Sequence, residues 1–482
     1  MARGAAFAAG LRLESHKALA MQRPLQVAAA PALAMVALDQ GGGVAASSAV
    51  NPGMRVRIGT EIARPGDAAS AAVHSPVSGV VRDVGPHDIV IENDGADTWG
   101  VPLEPVPWES LSAAGLTDGI REAGIVGLGG AAFPTSAKLT AARESSVEHL
   151  VLNGAECEPW ISCDDALMRE RAGDVVLGAQ VMMRACGALR ATIAVEDDKP
   201  EAIAALRAAL SCAGDDRIGL LAIAALYPAG AERQLLATVT GVEVPHDALP
   251  PAIGLVCQNV GTAAAVAAWV RTGRPCISRI VTVTGGGVNQ PANLEARIGT
   301  PLAALVAGCG GYRGNPTRLI AGGSMTGRAL DSDAIPLTKA MNCILVASGA
   351  DLAPRGPAMP CIRCGDCATA CPAGLLPQQL HRAVLSDDTA LFERHGLADC
   401  IECGCCDYVC PSQIPLTSSF REARARARAR HEEMRRAAEA RQRFEQRERR
   451  LAAQAQAERR AFDEARRRAR GDGPPSGGTD AI

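Results

Sequence analysis

Aromatic residues are scarce in this chain of 482 residues, at 3% of the composition. No stretch of about 18 uninterrupted apolar residues occurs, so a membrane-spanning helix is not expected. Residues 1–25 carry several charges and no adequate apolar run, so an export signal is not expected either. Without export, clustered cysteines are more often metal ligands than disulfides. The sequence therefore predicts a metal-binding protein of the cytoplasmic type, with at most peripheral membrane contact.

The charge is unevenly distributed along the chain. The net charge is −3, yet residues 421–470 hold 18 arginines and 9 acidic residues, a net charge of +9, which leaves about −12 elsewhere. This basic tail is interpreted either as a solvated or disordered extension or as a docking segment for anionic lipid, at ~1 kcal/mol per basic residue. Nucleic acid is not expected as a partner, because the tail lacks interleaved aromatics and the rest of the chain is acidic.

Nine of the 17 cysteines lie between positions 361 and 410, in two copies of the pattern Cys-x2-Cys-x2-Cys-x3-Cys-Pro. This pattern is typical of proteins with two 4Fe-4S clusters, in which the fourth Cys of each motif ligates the other cluster. We expect each fourth Cys to begin a helix. Zinc is the competing metal, but zinc sites usually show Cys-x2-Cys pairs. The predicted ligands form a first cysteine set (Cys361, Cys364, Cys367, Cys410) and a second cysteine set (Cys400, Cys403, Cys406, Cys371).

The rest of the chain predicts an α/β multidomain protein. Residues 25–100 show short strands and turn signals, with a strand pair around Gly85-Pro86, which is typical of a β-barrel-sandwich. Residues 120–250 alternate strands and helices, which indicates a mostly parallel sheet. Residues 278–330 resemble a small β-grasp module, and 419–470 should be helical by propensity. The expected order is barrel-sandwich (1–110), α/β domain (111–270), β-grasp module (271–345), two-cluster ferredoxin-like domain (346–418) and a helical or disordered charged tail (419–482).

A glycine-rich segment precedes a predicted strand with an acidic end. Gly127, Gly129 and Gly130 allow the backbone to approach a ligand and to offer N–H groups to a phosphate, with Lys138 as a cation. The predicted strand 149–152 leads into an acidic loop at 153–159, and the strand 191–195 leads into Glu196. Ligands of α/β sheets bind at the carboxyl ends of strands, so these loops are expected to converge. Tight structural turns and solvated strand ends remain alternatives.

These loops resemble the flavin- and NADH-binding subunit of respiratory complex I. Its patterns Gly-x-Gly-Gly-x-x-Phe-Pro-Thr-x-x-Lys and Asn-x-x-Glu-x-Glu-Pro are both present, at 127–138 and 153–159. Up to about residue 415, the chain more closely resembles the C subunit of the Rnf-type (Rsx) ion-translocating electron transport complex. The stretches 153–159, 196–203, 227–235, 258–262 and 339–344, the domain order and the twin cysteine motifs carry that resemblance. Two positions depart from the complex I loops: Leu128 replaces a usual Arg, and Ala155 replaces a usual Asp.

The resemblance implies a complex I flavoprotein-like α/β domain that binds FMN and uses NADH, in addition to two 4Fe-4S clusters. It implies a translocase or oxidoreductase subunit that is peripheral on the cytoplasmic side of the inner membrane and works with the other subunits of such a complex. No catalytic side chain is assigned. The implied flavin contacts are Gly127, Gly129, Gly130, Lys138 and Asn153. The implied nicotinamide-side contacts are Phe133, Glu156, Glu158 and Glu196.

Two other functions remain open at this point. A soluble NADH dehydrogenase or diaphorase module would be active without a membrane complex, although such relatives usually end in a single-cluster domain. A scaffold subunit would carry the clusters and bind no nucleotide.

Overall fold

A computed structural model describes residues 9–41, 45–66, 70–352 and 356–471 of the chain. The chain forms two compact units. The first comprises the chain up to Gln379 together with Asp399–Thr417, and the second comprises Leu380–Ala398 together with the segment from Ser418 onward. Positions 472–482, for which the sequence predicts a disordered end, lie outside the described residues.

The N-terminal part of the first unit begins with a short helix and a short strand, α1 (Ala18–Met21) and β1 (Gln26–Val27). Seven strands follow: β2 (Leu33–Ala37), β3 (Ser47–Ser48), β4 (Arg55–Val56), β5 (Glu61–Arg64), β6 (Val73–His74), β7 (Gly79–Val84) and β8 (Asp88–Asn93). They form an antiparallel sheet β2-β8-β7-β4 and a second sheet β3-β5-β6. Val36, Ile62 and Ile91 are fully buried in the shared core. The predicted barrel-sandwich and its strand pair β7–β8 are confirmed.

A parallel sheet with helices forms the next part. Its elements are α2 (Ala113–Glu122), α3 (Thr135–Glu144), β9 (His149–Gly154), α4 (Cys163–Glu170), α5 (Ala172–Cys186), β10 (Arg190–Glu196), α6 (Pro200–Ala213), β11 (Ile218–Ile223), α7 (Glu232–Thr240), β12 (Leu255–Asn259) and α8 (Val260–Thr272). A short 3-10 helix covers Pro250–Ile253. The strand order is β11-β10-β9-β12, and all three pairings are parallel. The inner strands read as apolar runs because helices cover the sheet. All carboxyl ends of these strands therefore meet at one edge.

A six-stranded sheet follows. Its new elements are β13 (Ser278–Thr284), β14 (Ala292–Arg297), α9 (Leu302–Gly308), β15 (Arg318–Ala321), β16 (Arg328–Leu330) and β17 (Cys343–Ala347). The strand order is β1-β14-β13-β17-β15-β16, so the N-terminal strand β1 forms one edge of this sheet. Leu302, Leu305 and Val306 of α9 are buried in its core.

The cysteine region is a structural repeat with an offset of 39 positions. Its helices are α10 (Asp366–Thr369), α11 (Pro377–Ser386), α12 (Thr389–Arg394), α13 (Cys405–Tyr408) and α14 (Leu416–Ala469), with a 3-10 helix at Leu397–Asp399. Left-handed backbone occurs at the equivalent pairs Arg363 and Glu402, Gly365 and Gly404, and Gly374 and Gln413. The equivalent short helices α10 and α13 lie against each other. Each motif is therefore wound in the same way.

One detail of the cysteine motifs differs from the expectation. Cys371 and Cys410 do not begin helices. Each lies two residues after the end of a four-residue helix, α10 or α13. The proline that follows each of them has no backbone N–H and disfavours a helical conformation in the residue before it.

Helix α14, with 54 residues, confirms the helical prediction for the tail. Within the second unit, its exposed surface carries ion pairs between residues three or four apart, such as Arg436 with Glu432 at 2.8 Å and Arg441 with Glu445 at 3.0 Å. Pairs at this spacing add about 0.2–0.5 kcal/mol each to an isolated helix.

Candidate functional site

The carboxyl edge of the parallel sheet brings polar residues from three strands together. Asn153, Glu196 and Asn259 lie at or near the ends of β9, β10 and β12. Asn259 caps α8, because its Oδ1 accepts hydrogen bonds from the N–H groups of Gly261 at 2.8 Å and Thr262 at 3.3 Å. The predicted convergence of the strand ends is therefore realised in the fold.

The glycine-rich loop between α2 and α3 lies against this edge. A Cβ atom built on Gly129 would be 3.3 Å from the Asn259 side chain, whereas one on Gly130 would meet nothing within 4 Å. Gly130 has φ +119, a conformation that favours glycine. The loop therefore touches the strand edge at Gly129 and faces open space at Gly130.

Three consecutive amides of this loop are available to a ligand. The N–H groups of Gly129, Gly130 and Ala131 donate no hydrogen bond to any part of the chain that the structure describes, and all three residues are exposed. Ala132, with φ +47, adopts the left-handed conformation next to them. Consecutive outward N–H groups form a binding site for anionic groups. A phosphate-bearing cofactor such as FMN therefore fits this loop.

Leu128, where the chain departs from the complex I pattern, fastens the loop. Its N–H donates to Thr262 Oγ1 at 2.9 Å, and its carbonyl accepts from the buried Arg279 at 2.9 Å. The Leu128 side chain is buried. This position therefore supports the loop through its backbone and offers no polar side chain to a ligand.

The acidic loop after β9 holds the start of α4. Glu156 accepts hydrogen bonds from the N–H groups of Asp164 at 2.7 Å and Asp165 at 3.1 Å. Its own carbonyl accepts a bond from Lys17 Nζ. Burial raises the pKa of Glu156, an effect that Lys17 opposes. Glu156 has φ +50, and non-glycine residues in this conformation are concentrated at functional sites.

Glu196 forms a buried ion pair with Lys199. The Nζ atom of Lys199 lies 2.5 Å from Glu196 and 2.8 Å from Asp198, and the Glu196 and Lys199 side chains are 2% and 1% exposed. Burial raises the pKa of Glu196 to about 7, although Lys199 acts in the opposite direction. Burial alone would lower the pKa of Lys199, but the surrounding carboxylates raise it. The Lys199 ammonium therefore stays charged and binds the neighbouring carboxylates at the carboxyl end of the parallel sheet. We call this part of the sheet, with Glu156 and Glu196, the acidic edge.

The remaining predicted contacts lie around the same loop. Asn153 donates to the Gly230 carbonyl at 2.8 Å, and Lys138 forms an ion pair with Glu232 at 2.6 Å. Phe133 is 48% exposed at the end of the glycine-rich loop. A solvent-exposed aromatic ring beside outward-facing amides is suited to stacking on a planar ring system.

The carboxylate of Glu158 is hydrogen-bonded within the fold. Its carboxylate accepts hydrogen bonds from Met325 N–H at 3.1 Å, Thr326 N–H at 2.9 Å and Thr326 Oγ1 at 2.6 Å. It therefore ties the acidic loop to the turn before β16. Burial raises the pKa of Glu158.

Several residues of this edge were not selected by sequence reasoning. Asp164 receives a hydrogen bond from Asn259 at 2.7 Å, and Lys17, from the N-terminal segment, reaches the Glu156 carbonyl. Arg279 of β13 supports Leu128. Asn259 lies in a stretch that resembles the Rnf-type subunit, which is the one signal that could have identified it. Nothing local in the sequence marks Lys17 or Arg279.

Several cysteine thiols lie close enough to influence one another: Cys361, Cys364 and Cys367 in the first set, and Cys371, Cys400, Cys403 and Cys406 in the second. Burial raises the pKa of Cys367, and the neighbouring Cys364 and Cys361 add to this effect. Burial and the nearby Cys403 likewise raise the pKa of Cys371. Cys371, the fourth cysteine of the first motif, is therefore near the second motif. Four thiolates are the ligands of a 4Fe-4S cluster, and the nearness of Cys371 to Cys403 is compatible with crossed ligation, which stays a prediction.

Cys405 is fully buried beside the second set. A hydrogen bond from Cys405 lowers the pKa of Cys403. The spacing of the motif leaves Cys405 outside the predicted ligands. Its thiol therefore remains free to donate a hydrogen bond to the sulfur of Cys403.

Among the described residues, no helix is both long enough and apolar enough to cross a membrane.

Family models match four consecutive segments of the chain. They are an RnfC barrel-sandwich hybrid domain at 5–99, a Nuo51 FMN-binding domain at 120–268, an SLBB domain at 280–329 and a 4Fe-4S dicluster domain at 360–414. The expected domain types and cofactor classes are thereby confirmed. The individual residue assignments stay predictions.

Curated relatives match most of the chain. The C subunit of the ion-translocating oxidoreductase complex of Pseudomonas aeruginosa is 46% identical over 90% of this chain and 57% of its own length. The protein of the same name from Yersinia enterocolitica is 40% identical over 90% and 63%. That of Rhodobacter capsulatus is 39% identical over 86% and 82%. The chain thus spans less than two thirds of the first two relatives.

Two solved structures of an NAD+-reducing [NiFe]-hydrogenase, one air-oxidized and one H2-reduced, are similar at 18% and 17% identity. Their TM-scores are 0.44 and 0.45, and the similarity covers 77% and 82% of each chain respectively.

Proposed function

Because the chain belongs to the family formed by the C subunits of ion-translocating oxidoreductase complexes, we propose that it transfers electrons between NADH and ferredoxin or another low-potential carrier. FMN and two 4Fe-4S clusters would serve as its cofactors. It would work as a peripheral subunit on the cytoplasmic side of the inner membrane, together with other subunits that couple the transfer to ion movement. The single observation that carries this proposal is the loop of three outward amides at Gly129–Ala131, in the same compact unit as both cysteine sets.

The residues around the glycine-rich loop would bind the flavin. When bound there, FMN would supply the conversion between the two-electron chemistry of a hydride and the one-electron chemistry of the clusters. The free amides at Gly129–Ala131 suit its phosphate, and Lys138 supplies a cation at the start of α3. Leu128 and Asn259 would keep the loop in place, because both are already hydrogen-bonded within the fold.

The acidic edge would face the nicotinamide side. Glu156 and Glu196 are held in place by the start of α4 and by Lys199, so they are fixed before any ligand arrives. Phe133 offers an exposed ring. Glu158 would belong to the same side, because its two oxygens are held by Met325 and Thr326 in the way that the two oxygens of Glu156 are held by the start of α4.

Flavin binding is tested directly with the variant Gly130→Ala in the full-length chain. An added methyl group at Gly130 enters the space where we expect FMN, so FMN content should fall at least ten-fold. The matched control is Gly214→Ala at the end of α6, which also has positive φ (+61) and open space around the added Cβ. Both variants place a Cβ at positive φ, but the strain is larger at Gly130, whose φ of +119 lies outside the left-handed region, so loss of FMN counts only if cluster content stays at the wild-type level.

The second measurement is cluster reduction by NADH in anaerobically reconstituted protein. NADH should bleach the clusters of the wild-type chain and of Gly214→Ala, and dithionite should bleach them in all three proteins. A chain that binds no FMN and whose clusters respond only to dithionite would instead be a cluster-bearing scaffold. Full NADH-to-ferredoxin activity of the isolated chain would favour a soluble dehydrogenase.

The basic helix α14 would dock to anionic lipid. Phe444, Leu451 and Phe462 are exposed and lie seven and eleven residues apart, so they share one face of the helix among the arginines. The full chain should bind phosphatidylglycerol vesicles in a salt-dependent manner, and phosphatidylcholine vesicles weakly. A chain without residues 431–482 should lose most of this binding. Equal binding by both proteins would contradict lipid docking.

A further inference from the structure

Two hydrogen bonds join the α/β domain to the second cysteine set. The Tyr227 hydroxyl donates to the carbonyl of Cys403 at 2.5 Å, and the Gln234 amide donates to the carbonyl of Pro372 at 3.4 Å. Both donors lie between the end of β11 and the first turns of α7. Cys403 belongs to the second set, and Pro372 directly follows Cys371 of the same set. The α/β domain therefore contacts this set at two separate points.

Tyr227 is held rigidly in this position. Its N–H donates to the Leu11 carbonyl at 2.9 Å, and its own carbonyl accepts from the Leu11 N–H at 2.8 Å. The side chain is 4% exposed and packs with Ala370 and Cys405. The hydroxyl is thus fixed by backbone bonds and by packing, so its bond to Cys403 does not depend on a mobile side chain.

The acidic loop reaches the same cysteine motif by a second route. Glu158 accepts a hydrogen bond from the N–H of Met325. The Met325 carbonyl in turn lies 3.1 Å from the position of a Cβ built on Gly404. Gly404 has φ +78 and follows Cys403 directly. The second motif therefore packs closely against the turn that the acidic loop supports.

The first cysteine set lacks such contacts. Cys361 and Cys364 are exposed, and Ile362 between them is 68% exposed. Within the described part of the chain, no side chain of the α/β domain donates a hydrogen bond to residues 361–367. The two sets therefore differ, because the second set adjoins the α/β domain whereas Cys361 and Cys364 of the first set are exposed to solvent.

We propose that Tyr227 is a positioning residue for the second cysteine set, and that this set is the first of the two to receive electrons from the α/β domain. The inference rests on the proposed function, because it assumes that the α/β domain holds the electron donor. Tyr227 would have two effects. It would fix the distance between the domain and the set, and its hydrogen bond would offset part of the negative charge on the Cys403 carbonyl, which otherwise disfavours an added electron next to that ligand.

The test uses the full-length, anaerobically reconstituted chain and the variant Tyr227→Phe, which removes only the hydroxyl. The two clusters are titrated with chemical mediators and followed by electron spin resonance, without NADH. Cys406→Ser identifies the signal of the second set, because Cys406 belongs to that set whether or not ligation is crossed. Tyr227→Phe should shift the midpoint potential of this signal to a more negative value and leave the other signal unchanged.

The matched control is Tyr312→Phe, which removes a hydroxyl whose hydrogen-bond partner, Asp333 at 2.7 Å, lies outside both cysteine motifs. This control should leave both signals at their wild-type potentials. A simple packing defect in Tyr227→Phe would change cluster content, so iron and sulfide are counted in every sample. The positioning role is wrong if Tyr227→Phe shifts neither signal, both equally, or only the signal of the first set.

The order of reduction is measured by freezing samples within milliseconds of adding NADH. The signal of the second set should appear before that of the first set. If the first set is reduced earlier, the proposed order is wrong. If NADH reduces neither cluster while dithionite reduces both, the proposed function fails, and the mediated titration of Tyr227→Phe still decides whether the tyrosine positions its cluster.

Discussion

The buried pair of Glu196 and Lys199 should be the main stabilising interaction of the acidic edge. Lys199 is 1% exposed and has two carboxylate neighbours, Glu196 at 2.5 Å and Asp198 at 2.8 Å. Removing one partner of a buried ion pair usually costs about 3–5 kcal/mol. Because Asp198 would remain beside Lys199 in Glu196→Gln, we expect the lower end of that range, about 3 kcal/mol.

The control for this prediction is Asp198→Asn. The Asp198 side chain is 39% exposed, so its pair with Lys199 is partly screened by water and should contribute about 1 kcal/mol or less. The double variant Glu196→Leu with Lys199→Met removes both charges together. Replacing a buried pair by apolar groups is often close to neutral, so this variant should recover much of the lost stability.

Hydrogen exchange is the appropriate assay, because a multidomain chain does not unfold in one step. The amides of β10 and of the first turn of α6 report local opening next to the pair. Each 1.4 kcal/mol lost from the free energy of local opening increases the exchange rate ten-fold. Exchange should therefore accelerate about 100-fold in Glu196→Gln and about five-fold or less in Asp198→Asn. Equal acceleration in these two variants would refute the reasoning.

Three further predictions concern other parts of the chain. Cys371→Ser should damage the cluster of the second set and spare most of the other, as seen by iron counting and spin resonance; equal loss of both would contradict crossed ligation. Burial lowers the pKa of His74 to about 3, with a smaller effect of Lys339. Since this folded-state pKa lies below the ordinary 6.5, the contribution of neutral His74 to stability is fully present above pH 6.5 and is lost toward pH 3, by about 1.4 kcal/mol at pH 5.5; hydrogen exchange of the β5 and β6 amides should show this decline in the wild-type chain and not in His74→Gln. In α5, Gly178→Ala places a Cβ 1.9 Å from the Ala263 carbonyl and should strongly accelerate hydrogen exchange of the α5 amides, whereas Gly173→Ala, with its nearest contact at 3.9 Å, should slow it slightly.

Local patterns determined much of the fold in advance. The apolar runs at 149–152 and 191–195 predicted β9 and β10 with differences of one or two residues at their ends, because each inner strand of the sheet is apolar on both faces. The ligand spacing in the cysteine motifs also needed no tertiary information. The expectation that each fourth cysteine begins a helix was wrong, because the short helices α10 and α13 precede these cysteines.

Contacts between distant segments could not be predicted in this way. Glu158 was grouped with Glu156 because the two are neighbours in one motif, yet its carboxylate is bound to Thr326 and Met325. Lys17 reaches the acidic loop from 139 positions away in sequence. No periodicity or spacing encodes such pairs, because they depend on how separate sheets pack.

The sequence by itself thus determined which residues can carry the chemistry. These are the cysteines at cluster spacing, the glycine-rich loop, and the carboxylates that follow the strands. Spacing within a few residues sets these features, since it fixes how a short loop can wrap around a ligand. Only the tertiary structure decided which of them are neighbours. The bond from Tyr227 to Cys403 joins residues 176 positions apart and distinguishes one cysteine set from the other, although their motifs have the same spacing.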